Sequence, residues 1–207
     1  MAKIQALSVQ QCLTHKGKAI EVSEKWHASV GEPETGSVWA VWGGSSHGKT
    51  SFVLQLCKEL CRAGLRVAYN SMEEGVGKSF ADAMVRENME ECRRKFVVLN
   101  NEPMEDVAEW LKKRTADALV IDSIQYSGMS YAQYKEFRKR FRNKILIIVS
   151  HAEGKEPQGA TARRIRYDAS VKVRVEGYKA FITSRYGGGE PFTIWEDGAT
   201  KYWGFNE

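Results

Sequence analysis

Ser37 to Leu56 reads SVWAVWGGSSHGKTSFVLQL. An apolar run, Val38 to Trp42, enters Gly43-Gly44-Ser45-Ser46-His47-Gly48-Lys49-Thr50, and an amphipathic run begins at Ser51. The octet fits G-x-x-x-x-G-K-[ST] at every fixed position, in the strand, loop, helix context that the motif needs. Glycines let backbone N–H groups turn inward around phosphate oxygens. The start of the following helix adds the positive end of its dipole. Gly43, Gly44, Ser45, Ser46, His47, Gly48, Lys49, Thr50 and Ser51 are therefore the candidate phosphate cradle. Lys49 is placed to reach β- and γ-phosphates and the Thr50 hydroxyl to ligate Mg²⁺. The plainer reading, a glycine turn that merely joins two elements, fits the complete motif and its flanks poorly.

Working outward, strands alternate with helices. After the loop, a helix runs from about Lys49 to Ala63 with Phe52, Val53, Leu56 and Leu60 on one face, and Gly64 stops it. Leu65–Ser71, Phe96–Leu99, Ala118–Ile121 and Ile145–Val149 read as strands. Val76 to about Arg93, Glu105–Arg114 and Ser130–Phe141 read as helices. Glu153–Arg166 is polar, with Gly154, Pro157 and Gly159, and reads as a loop. Val171–Val175, Tyr178–Thr183 and Phe192–Trp195 read as short antiparallel strands separated by Gly177, Gly187–Gly189 and Asp197-Gly198. This order predicts an α/β fold with a mostly parallel central sheet flanked by helices and antiparallel strands at its C-terminal end. Residues 1–36 read as an N-terminal arm or helical segment that packs on its own domain or on a neighbour, and 37–207 as the main domain.

Composition narrows the class. Apolar residues make up 43% and charged residues 28% of 207, as in an ordinary globular protein. No run is long and apolar enough for a membrane span, and the N-terminus lacks a signal-peptide core, so a cytoplasmic location is expected. Four cysteines without a CxxC pair argue for reduced thiols rather than zinc. The net charge of +5 is uneven: Lys135–Arg166 holds ten Lys/Arg and three Asp/Glu, a net of +7, so the remainder sums to −2. Such a block suits a polyanionic partner or, more plainly, a solvated helix face.

A second feature supports the loop. Ala118-Leu119-Val120-Ile121-Asp122 sets one carboxylate at the C-terminal end of a buried strand, where open α/β sheets bind ligands. Asp122 is the candidate Mg²⁺ aspartate.

With the loop, Asn70-Ser71-Met72-Glu73-Glu74, Ile121-Asp122-Ser123-Ile124-Gln125 and Ser150-His151 in place, the chain resembles the ATPase core of RecA-like proteins over about Ser37–Trp195. Its motifs come nearest to RadA/Sms-type recombination ATPases and DnaB-type helicase motors. The resemblance implies a RecA-like P-loop ATPase using ATP and Mg²⁺. It implies that Glu73, or alternatively Glu74, polarises the attacking water, and that His151 senses the γ-phosphate. Thr183-Ser184-Arg185-Tyr186-Gly187 is similar to the family's Lys-x-Arg-x-Gly, whose basic pair reaches a neighbour's ATP. Arg185 fits the arginine, and Thr183 replaces the lysine, leaving one cation instead of two. Arg163, Arg164 and Arg166 lie where RecA-like proteins carry a DNA-contacting loop, and Lys/Arg on a polar loop suit phosphate contact.

The implied function is a DNA-stimulated ATPase motor or switch in recombination, repair or replication. It would act as a homo-oligomeric ring or filament, with a possible protein partner in such a complex. The chain carries no zinc-binding or protease-like domain of the kind RadA/Sms-type proteins usually have, so a minimal core, or partners that supply those functions, is expected. A small-molecule kinase on the same loop, or an ATP-dependent switch for a protein partner, is the alternative.

Overall fold

The computed structural model describes residues 6–14 and 17–204. In chain order these form α1 (Val9–Thr14), α2 (Glu24–Val30), β1 (Val38–Gly43), α3 (Lys49–Arg62), β2 (Val67–Ser71), α4 (Lys78–Arg86), β3 (Phe96–Asn100), α5 (Met104–Lys113) and β4 (Ala118–Asp122). There follow α6 (Tyr131–Arg140), β5 (Ile145–Glu153), β6 (Glu156–Pro157), α7 (Ala160–Asp168), β7 (Val171–Glu176), β8 (Lys179–Ser184), β9 (Phe192–Thr193) and α8 (Glu196–Trp203).

The sheet runs β3-β2-β4-β5-β1-β7-β8-β9. From β3 to β7 every pairing is parallel. β8 and β9 close the edge in antiparallel register. β1 and β2 are buried at every residue, as strands covered on both faces must be. β7 instead alternates, with Val171, Val173 and Val175 buried and Lys172, Arg174 and Glu176 half-buried. One core, with Trp39, Val41, Phe52, Leu56 and Tyr69, fills the side of α2, α3 and α4. The other, with Val38, Ala40, Leu111, Phe137 and Ile165, fills the side of α5, α6 and α7. No helix among the described residues is long and apolar enough to cross a membrane.

The segment before β1 is continuous with this core. Trp26 of α2 is 5% exposed and lies 4.2 Å from the Phe192 ring and 5.5 Å from the Phe52 ring, centre to centre. Ser184 Oγ donates to the Val30 carbonyl at 2.7 Å. The buried Glu59 carboxylate of α3 accepts the Ser23 N–H at the entrance to α2.

Four expectations need correction. The helix expected from Val76 to Arg93 begins at Lys78 and ends at Arg86. Asn88 then adopts φ 52°, and a 3-10 turn, Met89–Cys92, points Met89 and Cys92 into the core. The strand expected to stop at Val149 runs on to Glu153, so Ser150 and His151 are strand residues beside Trp42 and Gly43. The loop expected over Glu153–Arg166 is a hairpin and a helix. Gly154 at φ 61° turns Glu156–Pro157 back along Ala152–Glu153, and α7 buries Ala162 and Ile165. There the glycines and the proline punctuate structure rather than replace it. Asp197-Gly198, read as a separator, lies inside α8, where the missing Cβ of Gly198 makes room for the Trp195 and Tyr178 rings.

Emptying the Trp26 site leaves a cavity between α3 and β9. Trp26→Ala is expected to lower the unfolding free energy by about 3–5 kcal/mol, read from the urea midpoint. Leu13→Ala, at an exposed position, should shift it by under about 0.5 kcal/mol.

Candidate functional site at the sheet's C-terminal edge

The loop leaves β1 where side chains do not fit. A Cβ on Gly43 would run into the Val175 carbonyl of the neighbouring strand. Ser46 at φ 62° and Gly48 at φ 97° complete the turn into α3. Lys49 opens that helix and its Nζ donates to the Gly44 carbonyl at 2.9 Å, across the mouth of the loop. Thr50 and Ser51 are half-buried in the same first turn. The His47 side chain has a structural task that the motif does not reveal. Its Nδ1 accepts the Gly177 N–H at 2.9 Å, its carbonyl accepts the Tyr178 N–H at 3.1 Å, and its ring meets Tyr202 edge-on. The middle of the loop is thereby moored to the β7–β8 turn.

Acidic groups meet the loop from the next strands. Asp122 ends β4, and its carboxylate accepts from the Tyr69 hydroxyl. Burial raises its pKa from the ordinary 3.8 to about 6; the Tyr69 hydrogen bond and Lys49 oppose the rise and Glu73 adds to it. Burial lowers the Lys49 pKa, against the pull of Asp122 and Glu73. The Asp122 carbonyl accepts the Met72 N–H at 2.6 Å and the Glu73 N–H at 3.2 Å, which fixes the chain after β2. From there Glu73 Oε2 lies 3.2 Å from His151 Nε2. Lys49, Asp122, Glu73 and His151 thus share one edge of the sheet. Glu74 instead faces a cleft of about 710 Å³ beside the loop.

That cleft and one side chain escaped the sequence. The cleft runs from Lys49 and Thr50 to Tyr178, Ile194 and Trp195. The Tyr178 and Trp195 rings stand edge to face with centres 5.0 Å apart, and Trp195 is 49% exposed. A tyrosine at positive φ after a glycine is a turn signal only, so nothing local marks it as a wall. Gln125 is the other omission. Its Nε2 donates to Ser150 Oγ at 2.8 Å and to the Gln158 carbonyl at 2.9 Å, while its Oε1 accepts the His151 N–H at 3.4 Å. Gln158 N–H returns to the His151 carbonyl at 2.9 Å. The end of β4, the candidate sensor and the entry to α7 are joined through this amide.

The remaining candidates lie apart. Ser184 sits opposite Val171, at the edge where the parallel strands begin, and Arg185 N–H donates to the Ser170 carbonyl at 3.0 Å. Arg185 is exposed there, roughly 17 Å along the strands from the level of the loop, counting five residues at about 3.3 Å each. Arg163 and Arg166 pair with Glu153 and Glu156, both at 2.9 Å. Arg164 lies over the Tyr131 ring at 5.6 Å. These arginines sit on α7, not on the loop expected for them.

No protein-family model matches the sequence, and no curated protein matches it. Solved structures do match the fold. The flagellar accessory protein FlaH from Methanocaldococcus jannaschii superposes with a TM-score of 0.62 at 18% identity, over 84% of this chain and 92% of its own. A KaiC-like protein from the hyperthermophilic archaeon Pyrococcus horikoshii gives a TM-score of 0.57 at 15% identity, over 85% and 93%. Identities this low establish the fold alone: an α/β core with a mostly parallel sheet, flanking helices and antiparallel strands at its C-terminal end.

Proposed function

We propose that the chain binds ATP with Mg²⁺ and hydrolyses it to ADP and phosphate. The observation that carries this reading is the Glu73–His151 pair, 3.2 Å apart, beside Lys49 and Asp122 at the mouth of a complete phosphate loop.

The residues fit the ligands. The loop backbone from Gly44 to Gly48 and the first turn of α3 offer N–H groups to phosphate oxygens. Lys49 Nζ, held by a single carbonyl, can exchange that partner for β- and γ-oxygens. Thr50 and the buried Asp122 supply the hydroxyl and carboxylate that Mg²⁺ takes in such sites. When bound, Mg²⁺ would offset charge on the phosphate oxygens. Tyr178 and Trp195 offer apolar ring surface to the base. Glu73 accepts a proton from the water that attacks the γ-phosphorus, as the bond to the β–γ bridging oxygen breaks. The one N–H of His151 Nε2 can orient Glu73 or, by exchanging that partner, donate to a γ-oxygen.

The finer reading follows the sequence motifs: a DNA-stimulated motor or switch of RadA/Sms or DnaB type, cytoplasmic, assembled head to tail, and serving recombination, repair or replication. Its support is the basic segment through α6 and α7 and the position of Arg185, too far from its own loop to serve it. ATP turnover with and without single- and double-stranded DNA tests this reading directly.

Lys49→Ala is expected to abolish ATP binding or turnover. Glu73→Gln should keep binding, read from Trp195 quenching, and slow turnover by about 10²-fold or more. Normal turnover by Glu73→Gln with loss in Glu74→Gln would move the base by one residue.

Asp122 yields a pH prediction. Its native pKa of about 6 exceeds the ordinary 3.8, so the folded state binds the extra proton. Stability from this group is therefore full below about pH 4 and falls as pH rises through 6, by roughly 3 kcal/mol. Without nucleotide, Asp122→Asn should be more stable than the wild type at pH 8, and the difference should shrink toward pH 4. Parallel urea midpoints across that range would refute the assignment.

Arg185 yields a mixing prediction. Arg185→Ala should bind ATP but hydrolyse it poorly. Mixing it with Lys49→Ala subunits should restore part of the activity, because a mixed interface pairs an intact loop with an intact Arg185. No recovery in proven mixed oligomers would assign Arg185 a role in its own subunit.

A further inference from the structure

β7 and β8 bury one face and leave the other half-buried. On that open face the register aligns Trp42, Arg174 and Phe181 in one cross-strand row and sets Lys172 opposite Thr183 in the next. The β5–β6 hairpin forms one bank, where the Lys155 carbonyl accepts Trp42 Nε1–H at 2.9 Å. α7 adds Arg166, whose guanidinium lies 5.7 Å from the Trp42 ring centre. Between them runs a groove of about 470 Å³.

Its charge is unbalanced. Lys155, Arg166, Lys172 and Arg174 line it against one carboxylate, Glu156. Glu156 pairs with Arg166, and Glu176, at the rim, pairs with Arg174. Lys155 and Lys172 are left without an ion pair among the described residues. The two arginines are recessed, with 22% and 25% of their side-chain surface exposed. Arg174 lies 4.6 Å over the Phe181 ring, which meets Trp203 edge-on. Gathering four cations in a recess costs desolvation and mutual repulsion that two carboxylates do not offset. An anion with repeated charges would offset it.

We propose that this groove binds the backbone of a single-stranded nucleic acid, with the partner's class resting on the DNA-stimulated reading above. Recessed guanidiniums suit one flexible strand, whose phosphates can enter the groove. A stiff duplex meets mainly the exposed cations at the rim. The groove shares only Arg166 with the arginines marked by the sequence. Its hairpin bank leads into Gln158, which Gln125 ties to His151, so an occupied groove borders the candidate sensor.

Fluorescence anisotropy of labelled oligo(dT) across a salt series tests the site. The lysine pair is chosen because it is unpaired and outside the ATP machinery. Lys155→Ala/Lys172→Ala should weaken binding by about tenfold or more at low salt. The slope of log affinity against log salt should fall by about 1.4, the share of two phosphates on a single strand. Turnover of ATP without DNA should stay unchanged. Arg163→Ala/Arg164→Ala, on α7 outside the groove, should weaken binding less than the lysine pair does. If the wild type does not bind oligo(dT), the DNA reading falls and the proposal with it. If the wild type binds, and the lysine variant keeps its affinity and slope while the arginine variant loses them, the groove proposal alone is overturned. Unchanged oligo(dT) binding by the lysine variant together with lost DNA-free turnover would also overturn it, and would assign the groove to a neighbouring subunit's ATP. Equal, lysine-dependent affinity for duplex DNA would overturn the single-strand assignment.

Discussion

Everything at the site depends on how tightly β1 is enclosed. It is paired on both sides, to β5 and β7, and buried along its length. At Gly43 the neighbouring Val175 carbonyl leaves no room for a side chain. The chain can leave there only through a glycine, and the glycines of the loop let its backbone N–H groups turn inward. The same pairing fixes what stands next to that turn. His151 is the register partner of Gly43, and Asp122 ends the strand beyond it. The register of four parallel strands, β1, β5, β4 and β2, rather than any one motif, brings the four charged groups to one edge. The His47 contacts to Gly177 and Tyr178 add a further constraint, because they tie the loop to the antiparallel extension whose Tyr178 walls the cleft.

The electrostatics of this edge run against stability. Asp122 is held in a buried position that raises its pKa, and Lys49 in one that lowers its own. Each group favours the charged form of the other, yet Lys49 donates to a carbonyl, not to the carboxylate. A buried pair that is not closed into a direct salt bridge remains available to other partners. Polyanionic phosphates and a divalent cation are the ligands that would relieve both groups at once. The Tyr69 hydroxyl restrains the Asp122 carboxylate in the meantime.

Much of this was legible in the sequence, for physical reasons that differ by element. β4, expected over Ala118–Ile121, runs one residue further to Asp122, because the apolar run and its terminal carboxylate are read from the same five residues. The phosphate loop was legible because its chemistry forces glycine, lysine and threonine to fixed spacings. The capped start of α6 at Ser130 was legible for a local reason too, since Gln133 returns the hydrogen bond of a capping box. What was missed depends on partners distant in the chain. The hairpin at Gly154 exists because β5 extends past His151, and Gly198 fits a helix only because Trp195 and Tyr178 pack on it. Gln125 ends a stretch that the resemblance marked, yet its role comes from β5 and Gln158, 25 to 33 residues away. The exposed rows of β7 were visible as the alternation VKVRVE, yet which strands lay beside them was not.

The same pairing pattern accounts for why the nucleotide edge and the basic groove are joined. β5 carries His151 and, two residues on, enters the hairpin that banks the groove. On one side His151 is the register partner of Gly43, where no side chain fits; on the other its strand leads into the two-residue β6 and the turn at Gly159 before α7. Gln125 bridges that junction by contacts to both sides, so the amide must yield or move with either. This short hairpin, paired over two residues, lies between the two places where phosphate is proposed to bind. Coupling between them therefore requires no long pathway, only two arrangements of this hairpin that each ligand favours unequally.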